Sequence, residues 1–458
     1  MIIRYNMEYT PASTGAVPLL PDVEALAGVP KPKPKSGVFK RRASLSLIVV
    51  KMVKHAHDGH ESRTGISPER QHSIASDGGA LPPVDFVSGS KRMICGNKLY
   101  WLLLVVPLAM ASPAIGLSNG ICFTLSCIAI LPLAGLLGDV TEQVALHTNE
   151  TLSGLLNATF GNATEVIVSY FALTRGMLTV VQVSLLGSVL SNTLLVLGCA
   201  FLAGGLTAKG SDPTFNKVAA VSNSTLLQIA ILGLMVPTLL EGVGAMELHG
   251  TTDLLLSRGI SCLLLVLYVL YCYFQLFSHR HLFEAEDDEK GDDEEEEAML
   301  PFSGGIAWLA FTTVLIAILS ETLTGALEGA AEQWGLTKAF VGFVILPIVG
   351  NAAEHSTAVV MAVKGKMDLA LGVALGSSTQ IALFVVPLMV LLGAAVDQPM
   401  DLYFGTFETV TTLLTSLVVF FVVQNGQTNW LEGTMLLFSY FIICFAFYFY
   451  EPVVSTKM

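Results

Sequence analysis

From Leu99 onward the chain is a succession of apolar stretches about 20 residues long, the length a helix needs to cross roughly 30 Å of hydrocarbon. Backbone polar groups find no water there, so stretches of this kind cross as helices. The sequence therefore predicts an all-α polytopic membrane protein with eleven transmembrane helices. The expected spans are 98–116, 119–145, 151–174, 177–205, 215–240, 252–278, 303–330, 336–363, 367–395, 401–424 and 430–450. Composition agrees, since 53% of the 458 residues are hydrophobic and 13% are charged, about half the charged share of a soluble domain. An ordinary cytosolic enzyme is excluded.

The net charge of −13 is unevenly spread. Residues 284–297 hold eleven acids and one lysine, and the first 98 residues hold 14 Lys and Arg against 8 Asp and Glu. The acidic balance is thus no sign of basic partners, and nothing points to nucleic acid. Seven cysteines are scattered without CxxC spacing and read as small hydrophobes. The N-terminus lacks the pattern of a cleaved signal, and Ile2 excludes N-myristoylation. Placing Lys91, Arg92, Lys98, Lys209, Lys217, Arg280, Lys364 and Lys366 in the cytosol satisfies the positive-inside tendency, with the N-terminus cytosolic and the C-terminus across the membrane.

An internal repeat organises the apolar body. Segment 161–198 aligns without a gap to 350–387, an offset of 189, with ten of 38 positions identical. The matches include Gly161/Gly350, Asn162/Asn351, Ala163/Ala352, Glu165/Glu354, Gly187/Gly376 and Ser188/Ser377. One helix followed by two five-helix repeats makes eleven, and because five is odd the second repeat enters from the opposite side. That is the inverted-repeat plan of many secondary transporters, with a site at the midplane. The chain divides into a largely disordered cytosolic tail (1–97), a first spanning helix (98–116), a first repeat (119–278), an acidic cytosolic loop (279–302), a second repeat (303–450) and a C-terminal tail (451–458).

Glu165 and Glu354 each lie ten residues before the next basic residue, Arg175 or Lys364. That is about 15 Å along a helix, half the hydrocarbon thickness. A lone charge there costs several kcal/mol, so each carboxylate must be protonated, paired or bound to a cation. Gly161, Gly350 and Pro347 are expected helix breaks that free backbone carbonyls. Asn162, Asn351 and Gln380 add side-chain oxygens toward the six to eight that Ca²⁺ takes. No thiolate or paired imidazole lies near, so zinc and copper are not favoured. His355 either helps couple protons or is a hydrogen-bonded interhelical histidine. A second tier of acids, Asp139/Glu142 and Glu328/Glu332, sits near helix ends.

GNATE at 161–165, GNAAEH at 350–355, the GS segments after them and the acidic run between the halves resemble the cation/proton exchanger family of the calcium/cation antiporter superfamily, plant vacuolar members most of all. The resemblance implies a secondary active antiporter, not an enzyme, that moves Ca²⁺ from the cytosol into the acidic vacuole against H⁺, across the vacuolar membrane. It implies that Glu165 and Glu354 bind the cation and carry the protons, with Asn162, Asn351 and Gln380 nearby. It also implies that Glu284, Glu286, Asp287, Asp288, Glu289, Asp292, Asp293, Glu294, Glu295, Glu296 and Glu297 collect cytosolic cations, and that the N-terminal tail can restrain transport. The ions are substrates; no cofactor is expected.

Three other readings stand beside it: an exchanger for Mn²⁺ or heavy metals, a cation channel filtered by the two glutamates, and an intramembrane enzyme using them as a dyad. A homo- or hetero-oligomer is compatible with the sequence. Arg41-Arg42-Ala43-Ser44 fits a basophilic kinase, and phosphate there would weaken a contact between the basic tail and the acidic loop. Ser44→Asp is expected to raise Ca²⁺ uptake in vesicles, and unchanged uptake would remove that role.

Overall fold

A computed structural model of the chain describes residues 85–208, 210–244, 251–282 and 298–450. The expectations for the tail before residue 85, the acidic run 284–297 and residues 451–458 lie outside the described residues. Within them the regular elements are helical, with one isolated bridge between Thr214 and Gln427. In chain order they are α1 (Phe86–Gly96), α2 (Lys98–Ala111), α3 (Asn119–Ala145), α4 (Glu150–Phe160), α5 (Ala163–Thr174), α6 (Leu178–Thr207) and α7 (Lys217–Gly242). There follow α8 (Thr251–Ser278), α9 (Phe302–Trp334), α10 (Lys338–Gly350), α11 (Ala352–Val363), α12 (Met367–Ala395), α13 (Thr406–Val423) and α14 (Trp430–Phe449).

The expected tail boundary at residue 97 moves. Residues 86–96 form α1, which meets α2 at 98°, and the first span ends at Ala111 instead of 116. Asp85 caps α1 by accepting from the Ser88 amide. Its inner face is Gly89, Ser90 and Met93. A Cβ at Gly89 would lie 1.9 Å from the Met299 carbonyl oxygen, and Trp308 Nε1 donates to Ser90 Oγ at 2.8 Å. Small residues that read as loop are what lets α1 lie this close to the start of α9.

Among the described residues eight helices are long and apolar enough to cross a membrane, or ten when the bent pairs α1–α2 and α10–α11 each count as one. The eleven expected spans are not matched one for one, because 151–174 is divided between α4 and α5.

The repeat extends from sequence into structure. α11 starts 189 residues after α5, α12 after α6, and α13 after α7. Both α6 and α12 widen into a π-helical stretch after their GS motif, at Ser191–Val196 and Ile381–Val385. The turns before them use Gly176 (φ 71°) and Gly365 (φ 82°), a left-handed conformation that glycine adopts without strain. Packing follows the same symmetry: α3 lies on α9 and α7 on α13, while α5 touches α9 and α12 as α11 touches α3 and α6. The halves interlock, so the interior belongs to both.

The helices sort by burial. In the most apolar window of α6, 83% of residues are buried, against 17% in α8 and 22% in α14, which leaves the latter two facing lipid. The close approach of α6 to α10 rests on Gly187. A Cβ there would lie 2.2 Å from the Phe343 carbonyl oxygen and 2.8 Å from Pro347 Cγ. Pro347 has no N–H to offer that carbonyl four residues back. Gly187→Ala is expected to cost about 1–3 kcal/mol through overpacking and to lower the melting temperature in detergent. Gly372→Ala, with open space around its Cβ, should not. An unchanged melting temperature for Gly187→Ala would refute the contact.

Candidate ion site

Two helix breaks place the glutamates. Asn162 (φ −112°, ψ 22°) and Asn351 (φ −91°, ψ 17°) leave helical geometry, ending α4 and α10 and starting α5 and α11. Gly161 caps α4 and Gly350 is the last residue of α10. Pro347 does not break its helix as expected: it lies inside α10, just after the π-helical stretch Val341–Ile345, and the 55° bend comes at Asn351. A proline in the first turn after a π-helical stretch leaves the chain helical, since the wider ladder absorbs its missing donor. Glu165 and Glu354 then fall in the first turns of α5 and α11. The positive ends of the two half-helix dipoles favour negative charge there.

The interior around them joins the two repeats. Glu165 and Glu354 are near enough to interact electrostatically. Glu165 is 6% exposed, and a Cβ on Gly350 would lie 3.3 Å from its Oε1. Both carboxylate oxygens of Glu165, Oε2 of Glu354, and Oδ1 and Nδ2 of Asn351 are buried without a hydrogen-bond partner. Buried polar groups are nearly always paired, so these atoms are open to a partner from outside the chain.

The two asparagines, equivalent in sequence, are held differently. Asn162 Nδ2 donates to Gln380 Oε1 at 2.6 Å and its Oδ1 accepts from Ser377 Oγ at 3.0 Å. Asn192 Nδ2 in turn donates to Ser377 Oγ at 3.0 Å. Residues of opposite repeats thus tie Asn162 in place. Asn351 lacks such ties: the position equivalent to Gln380 is Ser191, whose hydroxyl instead meets His355 Nε2 at 3.2 Å.

Beside Glu165 lies a cavity of about 30 Å³, room for one or two waters. Thr164, Ser169, Ser184, Ser188, Pro347 and Gly350 line it together with apolar side chains. Among the described residues no three His, Cys, Asp or Glu side chains converge as a metal cluster. An ion held here would therefore complete its shell with amide, hydroxyl, backbone and water oxygens, a hard-cation donor set.

The structure thus brings together Glu165, Glu354, Asn162, Gln380 and His355 and keeps Asn351 buried beside the second break, while the acidic run lies outside the described residues. The second-tier acids stay apart: Asp139 accepts from Tyr100 OH, and Glu328 pairs with Lys338 at 2.5 Å where both are more than half exposed. By sequence the serines and Asn192 of GSVLSN (187–192) and GSSTQ (376–380) read equally as groups that approach the two glutamates and as ordinary small-residue packing. The SN at 191–192 inside the GS segment was the available signal. Ser377→Ala removes a donor to Asn162 and an acceptor for Asn192, and should weaken divalent-cation binding by about 1–2 kcal/mol, roughly five- to thirtyfold. Calorimetric titration in detergent would measure it; unchanged affinity would mean the network positions nothing.

Comparisons with known proteins cover the same part of the chain. A family model described as "Sodium/calcium exchanger protein" matches residues 118–277 and 304–449. Vacuolar cation/proton exchanger 2 of Oryza sativa subsp. japonica is 48% identical over 360 residues, covering 78% of this chain and 82% of that protein. Vacuolar cation/proton exchanger 5 of Arabidopsis thaliana is 42% identical over 402 residues, with 84% and 91% covered. Among solved structures, the Ca²⁺/H⁺ antiporter protein YfkE is 35% identical and superposes with a TM-score of 0.64, covering 76% of this chain and 98% of that one.

Proposed function

The chain belongs to the cation/proton exchanger family of sodium/calcium exchanger proteins, and from that premise we propose that it carries Ca²⁺ from the cytosol into the vacuole in exchange for H⁺. The observation that carries the reading is the pair of glutamates, one from each repeat, at broken helices, Glu165 buried and Glu354 half-buried, with three of their carboxylate oxygens buried and without partners. Two carboxylates are neutralised either by one Ca²⁺ or by two H⁺. If the site crosses only when neutral, proton and calcium compete for the same oxygens and their fluxes are coupled. For two protons per calcium, a pH gap of about 2 units supplies roughly 5 kcal/mol, about a ten-thousandfold calcium ratio before any potential.

Asn162, Asn351 and Gln380 would order the oxygen shell, and His355, bonded to Ser191, would help the second repeat exchange its proton. The N-terminus would be cytosolic and the C-terminus lumenal. The acidic run would concentrate cations at the cytosolic mouth, an effect that salt weakens. The vacuolar membrane is supported by the names of the relatives.

The test is ⁴⁵Ca²⁺ uptake into vesicles made acidic inside, comparing wild type with Glu165→Gln and Glu354→Gln, with and without protonophore. Uptake should need the gradient and fall to background in either variant while the protein still inserts. Uptake that survives protonophore and both substitutions would overturn the antiport reading. Mn²⁺ displacing ⁴⁵Ca²⁺ at equal concentration would widen the substrate class, since oxygen donors accept both ions.

A further inference from the structure

The polar residues of α13 fall on one face. Glu408, Thr409, Thr412, Thr415 and Ser416 recur at helical spacing, and all five are buried, Glu408 to 2% exposure. The helix packs on α7. Across that seam Ser416 Oγ donates to Gln228 Oε1 at 3.2 Å, and Thr409 Oγ1 donates to Thr238 Oγ1 at 3.4 Å. Single hydroxyls commonly join membrane helices, but an ionisable residue heading an unbroken polar face points to a polar species using it.

The face connects two places. At its outer end Tyr450 OH donates to Glu408 Oε2 at 3.2 Å. Tyr403, half-buried in the preceding connection, interacts electrostatically with Glu408, Glu241 and Asp401, and Thr406 beside Glu408 is exposed. At its inner end Gln228 Nε2 and Ser224 Oγ are buried without partners, Ser224 at 2% exposure. The adjoining Asn223 carbonyl accepts from Thr379 Oγ1 at 3.3 Å, and Thr379 is followed by Gln380, the partner of Asn162. Successive polar groups of α13 stand about one helical turn apart, roughly 5.4 Å; Thr412 Oγ1 donates to the Glu408 carbonyl at 2.7 Å and Ser416 Oγ also to the Leu413 carbonyl at 2.8 Å, so passing a proton requires these hydroxyls to turn and a water to enter between them.

The repeat shows that this is no packing rule of the fold. α7 begins 189 residues before α13, and the positions equivalent to Glu408, Thr409, Thr412, Thr415 and Ser416 are Ala219, Ala220, Asn223, Leu226 and Leu227. Only α13 carries the glutamate and the run of hydroxyls, of which α7 keeps a single polar counterpart, Asn223, so the ionisable end of the face lies on one side only.

We propose that Glu408 and the hydroxyl face of α13 form a proton file through which H⁺ passes between that side, lumenal in the orientation given above, and the two-glutamate site, apart from the path of the cation. The proposal rests on the antiport reading. A proton taken from water onto Glu408 is handed on as each O–H or bridging water gives its proton forward and accepts one from behind. One H⁺ thus reaches a site carboxylate, and every group in the file is regenerated. Hydroxyls and waters do this by rotating, while the Gln228 amide can only orient them, and together they do not gather the six to eight oxygens that Ca²⁺ requires.

The experiment uses the full-length protein in liposomes and reads two fluxes: ⁴⁵Ca²⁺ uptake driven by an imposed pH gradient, and ⁴⁵Ca²⁺/Ca²⁺ exchange at equal pH, which moves no net proton. Glu408→Gln and the isosteric Thr412→Val are expected to slow proton-driven uptake on the order of tenfold to a hundredfold while leaving calcium self-exchange unchanged, and Glu408→Asp should restore part of the loss. Equal slowing of both fluxes, or of neither, in the two variants would overturn the file. A wild-type protein that exchanges calcium for calcium but not for protons would instead bring down the antiport reading beneath it.

Discussion

A carboxylate in the middle of a bilayer must be neutralised, and the surroundings of Glu165 and Glu354 answer to that requirement. Each glutamate follows a break that turns the positive end of a half-helix toward it. Each break exists because a Gly-Asn pair interrupts an otherwise apolar helix. The structure leaves several of the carboxylate and amide atoms unpaired, so the charge is open to whichever neutralising partner is available. Exchange of one partner for another is the chemistry that such a site can perform.

Small residues make the site possible. Gly187 lets α6 approach α10 where Pro347 leaves a carbonyl without its usual donor, and Gly350 lets α10 come within reach of Glu165. A close-packed interior transmits displacement instead of absorbing it. Because helices of one repeat pack on those of the other, a shift of one half must rearrange the contacts of both. Such an interface suits two discrete states around a shared site.

The two halves have diverged where chemistry differs. Asn162 is anchored by Gln380 and Ser377, while the side chain of its equivalent, Asn351, has no partner. His355 stands where the first repeat has Val166, and α13 carries a glutamate and four hydroxyls where α7 has two alanines, two leucines and an asparagine. Two substrates of different size and charge, moving in opposite directions, give a reason for symmetry in the scaffold and asymmetry in its lining.

Much of this was legible in the order of residues. Hydropathy revealed a helical membrane protein, the 189-residue offset revealed its two halves, and GNATE with GNAAEH pointed to both glutamates and both breaks. These are local signals, since span length, periodicity and a charge amid apolar residues act on the chain that contains them. The sequence missed α1, whose glycine and serine face looks like loop until it meets Met299 and Trp308. It placed the second break within 347–352 and counted Pro347 in it, whereas the bend comes at Asn351 and Pro347 stays helical, and it could not pair Asn162 with Gln380, 218 residues away. Sequence alone determined which groups must be neutralised in the membrane. Only the tertiary structure decided which of their oxygens are already satisfied, because hydrogen-bond partners come from the packing of two repeats that no local pattern aligns atom to atom.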